Sequence, residues 1–198
     1  MSVGNCLMEK EMSVFPFERF PVEHVIQQSW LVGMGRFGHS RANGRKHGGC
    51  DIYTNEGEAV YPVAQGKVLY INKYFLEGLC GAWTQAILIE HKVDNQVFCV
   101  RYSEILVDQS LRVGSTVNIN KAIGKVTAVC RINNSPLPML HLEAYSPTIG
   151  SNVNPTLKSN PPYQRHANLI DPTSSIVASY ARHFGRNIDA ILTMRHIA

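Results

Sequence analysis

Two histidines and an aspartate carry the clearest chemical signal in the sequence. His47 and Asp51 lie four residues apart in Gly-Arg-Lys-His-Gly-Gly-Cys-Asp, and His141 lies in Pro-Met-Leu-His-Leu-Glu-Ala-Tyr. Zinc is held by imidazole nitrogen and carboxylate oxygen, and its catalytic sites use three protein ligands with a fourth position left for water. A spacing of four puts two side chains on one side of either a helix or an extended segment. Gly44, Gly48 and Gly49 argue against the helix, so the pair belongs on a loop or at the start of a strand. Around His141 the residues alternate in character. Met139, His141 and Glu143 face one way, and Leu140, Leu142 and Ala144 the other, as in a strand with one buried face. Two accounts of these residues stand side by side. They are ligands of one metal ion, or, with eight histidines in 198 residues, a chance His/Asp pair and a structural histidine packed beside leucines.

Alternating or apolar runs at 59–63, 67–72, 84–91, 96–102, 111–119, 123–130 and 138–145 read as strands that would position these side chains. A short helix is expected over residues 23–30. From Ser174 on, Ile176, Tyr180, Phe184, Ile188 and Leu192 recur at helical spacing, which predicts one C-terminal amphipathic helix. The stretch 74–83, with Phe75, Gly78, Gly81 and Trp83, either walls a substrate groove or closes a hairpin. Residues 146–172 are rich in Pro, Asn and Ser and read as an extended peripheral loop. The fold class expected is mainly β, with an antiparallel, sandwich-like sheet core.

The stretch from Gly44 to Ile71 resembles the first signature of the lysostaphin/LytM-type zinc peptidases, which cut peptide bonds of bacterial peptidoglycan. That signature is a His-x-x-x-Asp pair followed by a hairpin, which appears here as Gly57, Val60, Pro62, Ala64, Gly66 and Val68, with Pro62 one place out of pattern. Val113, Gly114, Val117, Ile123 and Gly124 resemble the family's next turn and strand. Asn120 stands where the family usually has glycine, and asparagine tolerates positive φ well. Met-Leu-His-Leu-Glu resembles the closing strand. With Arg101-Tyr102-Ser103-Glu104 and Asn160-Pro161-Pro162-Tyr163 it looks like a bacterial subgroup of the family. The resemblance covers about residues 33–173. It implies a lead segment over 1–30, a LytM-type peptidase domain over 31–150, and a loop and helix over 151–198 packed on it. It further implies Zn2+ as cofactor, held by His47, Asp51 and His141, and the peptide of peptidoglycan as substrate.

Two departures bear on the chemistry. Family members usually carry a histidine two residues before the last ligand, where this chain has Met139, and another where it has Glu104. Methionine neither donates nor accepts a proton at neutral pH. A glutamate beside zinc-bound water is a general base in other zinc peptidases, so Glu104 is the catalytic candidate. An ionised carboxylate cannot donate to an oxyanion, which leaves Arg36, Tyr102 and His91 as candidate substrate contacts, with Arg101 beside them. Glu143 either orients a ligand from behind or ends its strand. The loss of both usual histidines keeps a second expectation open: a catalytically inactive, zinc-containing module that grips cell-wall peptide.

Other motifs exclude functions. Gly33-Met34-Gly35-Arg36-Phe37-Gly38 matches a dinucleotide fingerprint by letter, but a polar, glycine-broken stretch follows where a helix must open. Five cysteines without a Cys-x-x-Cys pair leave no complete disulfide framework. Cys50 beside Asp51 alternates toward the packing side. The net charge of +4 is mild and its basic residues are scattered, apart from Arg41, Arg45 and Lys46 near the presumed site. No basic stripe with interleaved aromatics points to nucleic acid. No run approaches the roughly 20 apolar residues that cross a bilayer. The first residues lack the charge, apolar core and cleavage site of a signal peptide. The expectation is therefore a protein made in the bacterial cytoplasm that acts on the cell wall after specialised, type VI-like delivery as an antibacterial effector, with secretion-machinery or immunity partners.

Overall fold

The computed structural model describes residues 15–77, 82–127, 138–146 and 161–193. Among the described residues nine strands belong to one antiparallel sheet: β1 (Cys50–Tyr53), β2 (Ala59–Val60), β3 (Gly66–Glu77), β4 (Ala82–Val93), β5 (Gln96–Val107), β6 (Thr116–Val117), β7 (Gly124–Val126), β8 (Met139–Tyr145) and β9 (Leu169–Ile170). The spatial order is β1-β8-β5-β4-β3-β6, with β7 joining β2 to β5 and β9 flanking β8. The mainly β, antiparallel expectation holds.

The alternation of β4, β5 and β8 sorts side chains onto two faces. Ile87, Ile89, Phe98, Val100, Tyr102, Leu140, Leu142, Cys50 and Ile52 enter the main apolar core. That core is closed from below by Phe15, Phe17, Phe20, Val22 and Trp30 of the N-terminal segment and by Ile176, Val177 and Ala181 of α1 (Thr173–Phe184). Phe15 stacks on Phe98 at 4.7 Å between ring centres, and Phe20 and Trp30 both pack on Tyr180. Each fully buried aromatic or aliphatic side chain contributes about 1.5–3 kcal/mol of transfer free energy. The opposite face carries the polar residues of interest and a smaller cluster of Leu69, Leu88, Cys99 and Tyr145.

Three local expectations are corrected and one open choice is resolved. Residues 23–30 form no helix. Their backbone is spent on the edge of β1, where Ile26 N–H donates to the Tyr53 carbonyl, Gln27 bridges Tyr53, and the Ser29 hydroxyl donates to the Asp51 carbonyl. The C-terminal region is two helices rather than one. Gly185, at φ 61°, takes the left-handed conformation that ends α1, and α2 (Ile188–Thr193) restarts beyond it. Of the two readings of 74–83, the hairpin is the one the pairing supports: β3 runs to Glu77, which pairs with Ala82 at the start of β4. Its turn and the Phe75 and Trp83 side chains lie outside the described residues, as do residues 128–130 and 147–160 of other expected elements. Asn120 does not adopt positive φ. The Asn118 side chain instead accepts the Asn120 N–H and closes the turn itself.

One irregularity bears on the site. In β5, Ser103 pairs with Ala86 and Ile105 with the adjacent Gln85, so Glu104 is an extra, bulged residue, at φ 65°. The bulge resets the alternation. Tyr102 faces the core, and without the bulge Glu104 and Leu106 would follow it. With the bulge, Ile105 and Val107 do so, and Leu106 is left exposed.

Candidate metal centre

Strand pairing assembles the site. Asp51 on β1 lies opposite His141 on β8, and His141 lies opposite Ser103 on β5, so these three share one row on one face. His47 arrives from the loop before β1, whose backbone is tied by Gly38 N–H to the His47 carbonyl and His47 N–H to the His39 carbonyl. Gly49 allows this close approach. A Cβ there would stand 2.5 Å from the Leu142 carbonyl oxygen and 2.9 Å from His141 Nε2.

Three ligand atoms converge. Asp51 Oδ1 lies 2.8 Å from His141 Nδ1 and 3.1 Å from His47 Nε2, and the two ring nitrogens lie 3.1 Å apart. Among the described residues these three form the cluster able to hold a metal ion. A tetrahedral zinc ion with bonds of about 2.0–2.1 Å separates its ligand atoms by about 3.3 Å, so the set fits after opening by a few tenths of an ångström. The histidines are also prepared at their far nitrogens. His47 Nδ1 donates to the Arg36 carbonyl at 2.9 Å, and His141 Nε2 donates to Glu143 Oε1 at 2.9 Å. Each of these bonds leaves the other ring nitrogen facing Asp51, where it donates to the carboxylate in the metal-free site and would give up that proton to offer its lone pair to a metal ion.

Glu143 therefore orients the His141 ring and does more than end a strand. Fully buried, it also accepts from Arg101 Nη1 at 3.1 Å, Arg165 Nε at 2.7 Å and the Tyr145 hydroxyl. Burial alone would raise its carboxyl, but the charges of Arg101 and Arg165 and the His141 bond hold it well below the usual range. Burial likewise works against charge on Asp51, and the hydrogen bonds from His141 and His47 outweigh it and lower the carboxyl. Burial disfavours charge on His141 too, yet Asp51 and Glu143 together push it up to about 9. For His47 burial prevails and its pKa is lowered. Arg41 stands on the Asp51 side, with Nη2 3.5 Å from Asp51 Oδ2 and donating to the Met34 carbonyl.

The remaining expected site residues are placed as follows. Glu104 is buried at the bulge next to Ser103. Arg36 is exposed, and it meets the site through its backbone carbonyl rather than its guanidinium. Tyr102 and His91 lie on the core face, away from the cluster. The Tyr102 hydroxyl accepts from Val63 N–H at 2.8 Å and donates to His91 Nε2 at 3.1 Å, while His91 Nδ1 faces the Gln65 carbonyl at 3.3 Å. Both are fully buried, which corrects their expected contact with substrate. Burial pulls the His91 pKa down to about 4 and raises that of Tyr102. Met139 begins β8, opposite Tyr53. Ser103, Arg165 and the Ser29 bond to Asp51 were not legible as site features. Their signal is cross-strand register and tertiary packing, which spacing along the chain does not carry.

Peptidase family M23 matches residues 45–155, more than half of the chain, and the protein belongs to that family. A search of curated proteins finds no match. Among solved structures, the solution structure of lysostaphin is 19% identical, with 79% of this chain and 55% of that one covered and a TM-score of 0.49. A zinc-containing peptidase from Vibrio cholerae is 25% identical over 66% of this chain and 37% of that one, with a TM-score of 0.46. The catalytic domain of lysostaphin from Staphylococcus simulans is 19% identical over 73% of this chain and 90% of that one, with a TM-score of 0.44. The chain thus spans about half or less of the length of the first two.

Proposed function

We propose that this protein is a zinc-dependent endopeptidase that hydrolyses peptide bonds of bacterial peptidoglycan. The observation that carries the reading is the convergence of His47 Nε2, Asp51 Oδ1 and His141 Nδ1, with each imidazole fixed from behind by an acceptor. When bound there, zinc would polarise the scissile carbonyl and lower the pKa of a water to about 7. The chain's own part is to hold the ligands. Arg36 and Glu143 fix the tautomers, and Gly49 lets β1 lie against His141. Glu104, carried next to Ser103 on a left-handed bulge, is the proposed proton acceptor and later donor to the leaving amine. A non-glycine residue at positive φ costs about 1–2 kcal/mol, and such strain gathers at functional sites.

Glu104→Gln is expected to keep stoichiometric zinc and lose turnover of purified peptidoglycan, read as new free amines by mass spectrometry. Undiminished turnover removes Glu104 from the mechanism. A second reading, a zinc-holding module that grips cell-wall peptide without cutting it, is favoured by Met139 and Glu104 standing in place of two proton-handling histidines. Peptide retention without new amines would select it. Delivery to the cell wall by a specialised secretion machine, with an immunity partner in the producing cell, belongs to the same proposal and rests on the sequence resemblance. A conventionally secreted, N-terminally trimmed form in culture medium counts against it.

A further inference from the structure

The Ser103 hydroxyl is the odd group of the site. Its residue is 1% exposed, and its Oγ has no hydrogen-bond partner among the described residues. A buried hydroxyl left without a partner costs about 1–3 kcal/mol, and native proteins keep such groups where water, an ion or a ligand completes them.

The neighbours of Ser103 are already committed. It lies directly opposite His141, and cross-strand partners of this kind have Cβ atoms about 4.5–5.5 Å apart. His141 uses Nε2 on Glu143 and turns Nδ1 to Asp51 and His47. Asp51 Oδ1 meets both imidazoles, and Oδ2 faces Arg41. On its other side Ser103 pairs with Ala86, which has no polar side-chain atom. The following residue, Glu104, leaves the ladder at the bulge. The hydroxyl thus sits in the row Asp51, His141, Ser103, on the metal face, without a hydrogen-bond partner among the described residues.

We propose that Ser103 is a positioning residue whose hydroxyl hydrogen-bonds the oxygen, of water or of a substrate carbonyl, held at the open position of the His47–Asp51–His141 centre. The proposal rests on the metal-centre reading above. It assigns a use to a residue that chain spacing alone does not single out, and it gives a partner to a buried, unsatisfied hydroxyl. Its partner is an oxygen ligand and not the cation itself, since a neutral serine hydroxyl is a poor zinc ligand beside imidazole and carboxylate.

The test compares wild type, Ser103→Ala and Ser103→Thr, each stripped by chelator and then loaded with cobalt(II), whose visible bands report the centre. Acetohydroxamate is the oxygen-donor probe. In the metal-free state Ser103→Ala melts at or above the wild-type temperature, because it removes an unsatisfied group. In the cobalt-loaded state it binds acetohydroxamate about three- to tenfold more weakly, the loss of one hydrogen bond, and Ser103→Thr restores most of the affinity. The proposal is overturned if acetohydroxamate binds wild type and Ser103→Ala equally. It is also overturned if Ser103→Ala lowers the metal-free melting temperature as much as the loaded one, since that pattern means packing alone. A wild-type protein that takes up no cobalt overturns the metal-centre reading, and this inference with it.

Discussion

Replacing His91 by glutamine should flatten the acid limb of the protein's stability curve. The imidazole lies in a closed chain of donors: Val63 N–H to the Tyr102 oxygen, Tyr102 O–H to His91 Nε2, and His91 Nδ1–H to the Gln65 carbonyl. Every donor has an acceptor only while His91 is neutral. Protonation places N–H against O–H, strands one of them, and adds a charge beside the Phe98 ring in the core. The pKa accordingly falls from 6.5 to about 4, with burial as the main cause. A group depressed in the folded state contributes stability that is complete above its unfolded pKa and lost as pH falls toward the folded one. The window is therefore about pH 6.5 down to 4. Linkage gives about 2 kcal/mol lost between pH 7.5 and 5, and about 3.4 kcal/mol in the acid limit at ~1.36 kcal/mol per unit. That is a large share of a typical stability of about 5–15 kcal/mol. Urea unfolding of chelator-treated protein, followed by tryptophan fluorescence at half-unit pH steps, measures it. His91→Gln starts lower at pH 7.5 and loses about 2 kcal/mol less than wild type by pH 5. His47, Asp51 and the other titrating groups are common to both proteins and cancel in the difference. Parallel curves would refute the assignment of His91 as a buried neutral residue.

Two further changes probe the centre. Glu143→Gln removes a carboxylate that faces His141 and two arginines, so zinc affinity in a chelator competition should fall about 10–100-fold. The same variant should unfold about 3–5 kcal/mol more easily in urea, because Arg101 loses a buried carboxylate partner at 3.1 Å. Unchanged affinity would mean that His141 needs no support from behind. Gly49→Ala sets a methyl against a backbone oxygen that cannot swing away. It is expected to cost about 1–3 kcal/mol or more and to lower metal stoichiometry, while Gly44→Ala, where open space surrounds the Cβ position, lacks that clash. Full metal content in Gly49→Ala contradicts the close approach of β1 to His141.

The three residues of the candidate metal centre were legible because their chemistry is local. A His-x-x-x-Asp pair among glycines and a histidine on an alternating strand need no knowledge of partners. Tyr102 and His91 were misread because proximity to a motif says nothing about which face of the sheet a residue takes. Glu104 shows the limit more finely. Tyr102, Ile105 and Val107 are all core residues, and the odd spacing between the first two is the one trace in the sequence of the bulge that turns Glu104 out of the ladder. The absent helix over residues 23–30 has a similar cause. Its composition permits a turn of helix, but pairing with the edge of β1 satisfies the same backbone groups and also fixes the strand that carries Asp51. Ser103 reads as an ordinary strand serine until β5 is laid against β8.

The aromatic layer beneath the sheet sets a practical boundary for work on this protein. Phe15, Phe17, Phe20, Val22 and Trp30 precede the family-matched span of 45–155, and Ile176, Val177 and Ala181 follow it. A recombinant fragment trimmed to that span would keep His47, Asp51 and His141 yet leave Phe98, Tyr102 and their neighbours facing water. Such a fragment should be recovered as insoluble aggregate, and a lack of activity in it would say nothing about the whole chain.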